Sequence, residues 1–233
     1  ELAFPLNYPR ERASNAQLKT PQTLRSAAWM PWVASWEETM IPTQGEALNV
    51  QNGLLCAYAQ PILSKISFAG DGSITLGLMD RWAHQTGHLN YSTRLGDRTL
   101  VIGYAAGDLI KVFRSANGLY IVEQSNSDDG IYYRKDDGPS YHGEFYYEEN
   151  FISPLAHHGE IVTGGQAILP GSNTVAVTVH SPIVTKNPYF QYDGLLTQGL
   201  HFYDMNTGKR TGEYLFVEQF VLGKANGLGD IAI

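Results

Sequence analysis

The chain has a single cysteine, Cys56, among 233 residues, so it can form no disulfide within itself. This excludes a disulfide-stapled scaffold but leaves the compartment open, because an exported protein with a large β core can do without such bridges. Charge is also scarce: 17% of residues are charged, and 16 Lys and Arg stand against 23 Asp and Glu, a formal net charge of −7. The bases are scattered, whereas nucleic-acid partners need clustered Lys and Arg that displace counterions from phosphates. No nucleic-acid partner is therefore expected. There is no apolar run of about 18 residues or more, so no membrane-spanning helix is expected within these residues. The motifs of nucleophilic, zinc-peptidase and phosphate-loop chemistry are missing, and Gly164-Gly165 leads into an alternating run rather than a helix. The chain opens on Glu1 rather than Met, inside what reads as a strand over residues 1–6. That suggests a processed or cut N-terminus, so a missing leader says little about export.

What the chain does have is turn formers and alternation. It carries 24 Gly and 11 Pro with 43% hydrophobic and 12% aromatic residues, a composition suited to many short strands. Ile74, Leu76 and Leu78 fall on one side of a period-two run, and Val175, Val177 and Val179 on one side of another. The intervening Thr75, Gly77 and Met79, like Thr174, Ala176 and Thr178, are only weakly polar, as expected of sheets covered on both faces. Only the stretch around Trp29 to Glu38 suggests a helix. The class is all-β.

Connections alternate in length. Short turns are expected at Gly70-Asp71-Gly72, Ser115-Ala116-Asn117-Gly118, Pro170-Gly171-Ser172-Asn173 and Asn206-Thr207-Gly208-Lys209, while long connections separate the resulting pairs. Two tandem four-stranded antiparallel meanders with all long connections at one end form the blade pattern of a partial β-propeller. On this reading residues 1–6 are the last strand of a preceding blade, 7–60 a long loop, 61–124 one blade, 125–163 an acidic, Tyr-rich loop, 164–218 a second blade and 226–233 the start of another. About two full blades plus part-blades fall short of the roughly four that a ring needs. The single domain 1–233 thus reads as a fragment, or as one that borrows blades. A β-sandwich of the same meanders is the alternative that needs none.

The segments Phe4 to Arg10, Pro61 to Gly87, Ala106 to Phe113, Gly164 to Val179 and Leu222 to Ile233 carry a family resemblance. Together they resemble the N-terminal, propeller-like region of bacterial cell-surface proteins bearing SdrD B-like repeats. The resemblance implies an exported protein, extracellular or at the cell surface, and brings no catalytic residues. Lys65 and Ala69 depart from the acidic residues expected in the first-strand pattern.

The long loops hold the candidate site residues. Trp29, Trp32 and Trp36 are spaced to share one side of a helix, either as a platform for sugar rings or as buried indoles pinning a loop. Asp80, His84 and His88 recur every four residues, a metal-ligand spacing if helical, although Gln85-Thr86-Gly87 reads as a loop. Asp80 and Arg81 can instead bond locally and shape that loop. Asp128, Asp129, Asp136 and Asp137 make calcium a possible cofactor, against the simpler reading of a solvated acidic loop. Tyr141, His142 and Glu144 complete the ligand-binding candidates. The functional expectation is a non-enzymatic binding or adhesion module that contacts an unidentified carbohydrate or protein. The alternatives are an extracellular hydrolase or lyase acting on sugars or lactones, with Asp80, His84 and His142 or Glu144 in a funnel, and a structural spacer.

Overall fold

In this computed structural model the described residues are 3–6, 29–40, 47–50, 53–56, 58–103, 105–123, 144–146, 151–152, 157–158, 161–183, 197–217 and 227–232. In chain order the strands are β1 (Ala47–Val50), β2 (Gly53–Cys56), β3 (Pro61–Phe68), β4 (Ile74–Asp80), β5 (His88–Tyr91), β6 (Leu100–Gly103), β7 (Asp108–Arg114) and β8 (Tyr120–Val122). They continue as β9 (Phe151–Ile152), β10 (His157–His158), β11 (Val162–Ile168), β12 (Thr174–His180), β13 (Gln198–Asp204) and β14 (Arg210–Val217). One α-helix, α1 (Arg81–Thr86), and a 3-10 turn at Trp36–Met40 accompany them.

The tight turns form where side chains can bond back to the backbone. Asp71 Oδ1 accepts from Ser73 N at 2.8 Å, and Asp204 Oδ1 accepts from Asn206 N and Thr207 N at 2.8 and 2.9 Å. Gly72, with φ of 82°, and Gly208, with φ of 73°, take the left-handed backbone that these turns require. Two antiparallel meanders result, ordered β3-β4-β7-β8 and β11-β12-β13-β14, which match the expected strand sets at 61–124 and 164–218. Among the described residues the sheets close neither a ring nor a barrel.

The two meanders pack face to face, with β11 lying over β3, β4 and β7. The alternation along β4 and β7 sorts their side chains. Leu76, Leu78, Ile110 and Val112 form a cluster on the face turned away from the second meander, covered by Phe4 and Trp29. Leu109 and Phe113 face the second meander, where they meet Val175, Val177, Val179, Tyr203 and Met205. Polar contacts cross this layer: Gln166 Nε2 donates to Thr75 O at 2.7 Å, and the Thr75 and Tyr146 hydroxyls meet at 2.9 Å. Close approach requires glycine at Gly77 and Gly107, where a Cβ would lie 2.4 Å from Gly164 O and 2.1 Å from Val162 O.

The inner strands repeat one device. In β3 the register shifts between Leu63 and Lys65, and the Ser64 hydroxyl bridges Gly77 O at 2.9 Å and Gly164 O at 2.8 Å. In β11 the shift spans Val162 to Gln166, with Gly164 at φ 88°. Residues 227–232 then lie against β11 and β12 as β11 lies against β3 and β4. Gly229 has φ of 76°, and its carbonyl sits 2.1 Å from where a Gly165 Cβ would be and 3.4 Å from the Thr178 hydroxyl. Ser64, Gly164 and Gly229 thus occupy matching positions, each followed by Lys65, Gly165 or Asp230. Lys65 and Asp230 form an ion pair across side-chain-less Gly165, which holds the Asp230 carboxyl below its ordinary range.

Several expectations are corrected. Residues 3–6 form no strand, and Phe4 serves instead as a cover for the first meander. Residues 227–232 make backbone and side-chain contacts without forming a strand. The region 7–60, expected as a long loop, and the long connection 81–106 within the first meander contribute the hairpin β1–β2 and the strands β5 and β6, which join into a four-stranded sheet ordered β1-β2-β6-β5. Its β2–β6 pair is parallel, because the two strands come from different connections. The region 125–163 likewise contains the short antiparallel pair β9–β10. No helix spans Trp29 to Glu38, since helical backbone begins only at Trp36, as 3-10.

Candidate functional site

The end of the first meander from which its longest described connection leaves is built on Asp80. This residue ends β4 and caps α1. Its Oδ1 accepts from Gln60 N at 3.0 Å, Trp82 N at 3.0 Å and Ala83 N at 3.3 Å, and its Oδ2 accepts from Ala106 N at 3.3 Å. The carboxylate is fully buried and binds three segments of chain together. At the other end of α1, Gly87 takes φ of 68° and its N–H closes on Ala83 O. The local-bonding reading of Asp80 therefore describes its geometry. The loop expected at Gln85-Thr86-Gly87 is in fact the last turn and cap of a helix.

Arg81 follows directly. Its Nη1 donates to Gln60 Oε1, and its guanidinium carbon lies 4.7 Å from the centroid of the Trp32 ring. Trp32 donates from Nε1 to Pro61 O at 3.0 Å and remains 59% exposed. Gln60 is fully buried and donates from Nε2 to Pro31 O at 3.1 Å, tying the 29–33 segment to the start of β3. Sequence reasoning missed Gln60; its position directly before the Pro61 strand start was the available signal.

The three indoles share no face. Trp29 packs on the Leu76–Ile110 cluster, Trp36 donates to the Thr86 hydroxyl at 3.0 Å beside Tyr58 and Trp82, and Trp32 alone faces solvent under Arg81. Trp29 and Trp36 are thus pinning residues, while Trp32 keeps the exposed aromatic surface of a platform. His84 of α1 stacks on His180 at the end of β12, with centroids 5.9 Å apart and planes at 26°, and Gly227 lies against its Cε1. His180 was not anticipated, because its partner comes from the other meander.

Glu144 is buried as well. Its neighbour Phe145 sits in the layer between the meanders, against the tight turn at Gly208, and is held from two sides. Phe145 N donates to Glu123 Oε2 at 3.0 Å, and the Lys111 ammonium lies 5.2 Å from its ring while donating to Met205 O at 3.0 Å. Burial, then the nearby Asp108 carboxylate, pushes the Glu123 carboxyl well above its ordinary value. Burial lowers Lys111, opposed by the charges of Asp71, Glu123 and Asp204. Asp80 thus caps α1, while His84 stacks on His180.

Tyr141, His142, Asp128, Asp129, Asp136 and Asp137 lie outside the described residues, as does the side chain of His88. Among the described residues no three His, Cys, Asp or Glu side chains come together as metal ligands. No described helix is long and apolar enough to cross a membrane. Comparison with protein families, with curated proteins and with solved structures finds no match.

Proposed function

We propose that the chain belongs to an exported, cell-surface β-propeller module that binds a ligand through the end where its long connections gather. The observation that carries the binding role is the Trp32–Arg81 pair, an exposed indole and a cation fixed by α1 and by the Gln60 contacts. The fixed geometry lowers the ordering cost of binding. The Asp80 carboxylate, by contrast, is occupied by four backbone N–H groups, which favours a binding face over a catalytic funnel using that residue.

Three features support the propeller arrangement. The meanders stack through their inner strands, the bulge at Ser64 recurs at Gly164 with Gly229 in the matching place of residues 227–232, and both outer faces carry exposed apolar groups. Phe68 is 71% exposed on one outer face, and Tyr214 and Phe216 are 56% and 57% exposed on the other. A neighbouring sheet of the same kind on each side would cover them. The cell-surface location rests on the resemblance of segments such as Pro61 to Gly87 to surface proteins with SdrD B-like repeats.

The test is to probe arrays of polysaccharides and extracellular proteins with the labelled chain, its Trp32→Ala and Arg81→Gln variants, and a Lys209→Ala control at a tight turn. Binding that falls for the first two variants and survives in the third supports the reading. Equal loss in all three, or retention in all three, contradicts it, and retention favours a spacer.

A further inference from the structure

Arg81 is a half-buried cation in a chain whose acidic residues outnumber its basic ones 23 to 16, yet among the described residues no carboxylate forms an ion pair with it. Its neighbour Asp80 cannot serve, because both carboxylate oxygens accept from backbone N–H groups on the inner side. The partners Arg81 does have are neutral: the Gln60 amide oxygen and the face of Trp32. A guanidinium carries five donors, and among the described residues only one is used by a side-chain partner.

The position of this cation is fixed. Arg81 N donates to Gln60 O at 2.8 Å, Gln60 Nε2 donates to Pro31 O and Trp32 Nε1 donates to Pro61 O, so guanidinium and indole are held from both sides of one backbone crossing. The guanidinium covers one face of the indole. With 59% of Trp32 exposed, the remaining surface is open to solvent.

We infer that the Trp32–Arg81 pair binds an acidic sugar unit of a glycan, the apolar face of the sugar ring packing along the exposed edge of the indole beside the guanidinium, which takes its carboxylate. The inference rests on the binding role proposed for this end of the molecule and gives that role a ligand class. The exposed apolar edge of the indole, set beside the cation, selects a ring with an apolar face over an extended acidic peptide. The guanidinium selects a planar carboxylate, which it can hold by two parallel N–H bonds. Because the contact lies at the surface, added salt weakens it.

The experiment is calorimetric titration of the full chain with oligogalacturonate and with its methyl ester, which share the ring and differ in charge. The acid should bind at least about tenfold more tightly than the ester, the factor carried by about 1.4 kcal/mol. Arg81→Gln should reduce the acid to the level of the ester, Arg81→Lys should recover part of the difference, and Trp32→Ala should remove binding of both. Circular dichroism and the melting midpoint verify that each variant folds, which exposed Trp32 makes straightforward. Equal affinity for acid and ester, or an Arg81→Gln variant with unchanged preference, overturns the acidic-sugar assignment while leaving a Trp32-dependent binding face in place. No titration signal with either sugar overturns the assignment. If the labelled chain then also binds nothing on the arrays, the binding role falls with it.

Discussion

Replacing Asp80 by alanine removes the acceptor for four backbone donors in one buried place: Gln60, Trp82, Ala83 and Ala106. The Trp82 and Ala83 contacts are the helix cap, whose loss costs about 1 kcal/mol. The Gln60 and Ala106 contacts are buried hydrogen bonds to a charged group, at roughly 1.5–3 kcal/mol each, and the stranded donors have no water to turn to. These contributions overlap, so Asp80→Ala should cost about 3–5 kcal/mol rather than their full sum. In a domain of this size about 1 kcal/mol moves the midpoint by about 2–4 °C, so a fall of about 10 °C or more is expected. Asp80→Asn keeps an oxygen for the cap but turns an amide donor towards the Ala106 or Gln60 N–H, and should lose about half as much. Scanning calorimetry gives both midpoints. Tryptophan fluorescence in urea adds a local reading, since Trp82 and Trp36 belong to the cap that Asp80 secures. An Asp80→Ala variant that melts within about 2 °C of the parent would refute the structural role assigned to this carboxylate.

Two further outcomes probe the layer between the meanders. Gly77→Ala places a methyl group 2.4 Å from Gly164 O, so the sheets must separate locally; urea unfolding should show a loss of about 1–3 kcal/mol, and an unchanged midpoint contradicts the packing. Glu123 holds its proton more tightly folded than unfolded, so its contribution to stability is full below the ordinary value of 4.5 and is lost as pH rises through the raised folded value. Glu123→Gln should flatten that decline in a series of melting midpoints against pH, and an identical pH profile in the variant contradicts it.

The meanders were legible because their signals are local. Asp71, Asn117 and Asp204 stand at turns where short polar side chains bond back to the chain, and the Val175, Val177, Val179 alternation marks one buried face. The short helix α1 was overlooked although its signals were present. Asp80 before it and Gly87 after it are a cap and a stop, but six residues give too little periodicity to stand out. The hairpin β1–β2, with Val50 paired to Gly53, lies within what reads as a long loop. The parallel β2–β6 pairing and the His84–His180 stack were not legible, because each joins segments far apart in sequence and neither leaves a pattern in either one.

The same distinction runs through the candidate site. Trp29, Trp32 and Trp36 are equivalent by spacing, and only the fold separates two partly buried anchors from one exposed ring. Arg81 was identifiable as a strand-end residue with a bonding role. Its pairing with Trp32 depends on the 29–33 segment returning to the start of β3, an arrangement set by the buried Gln60 amide.

Hydrogen–deuterium exchange of the chain with and without oligogalacturonate tests the binding end most directly. The account predicts slowed exchange in residues 29–33 and 81–87, with the tight turns at 115–118 and 206–209 unchanged. Protection confined to those tight turns, or to the outer strands β8 and β14, would contradict it.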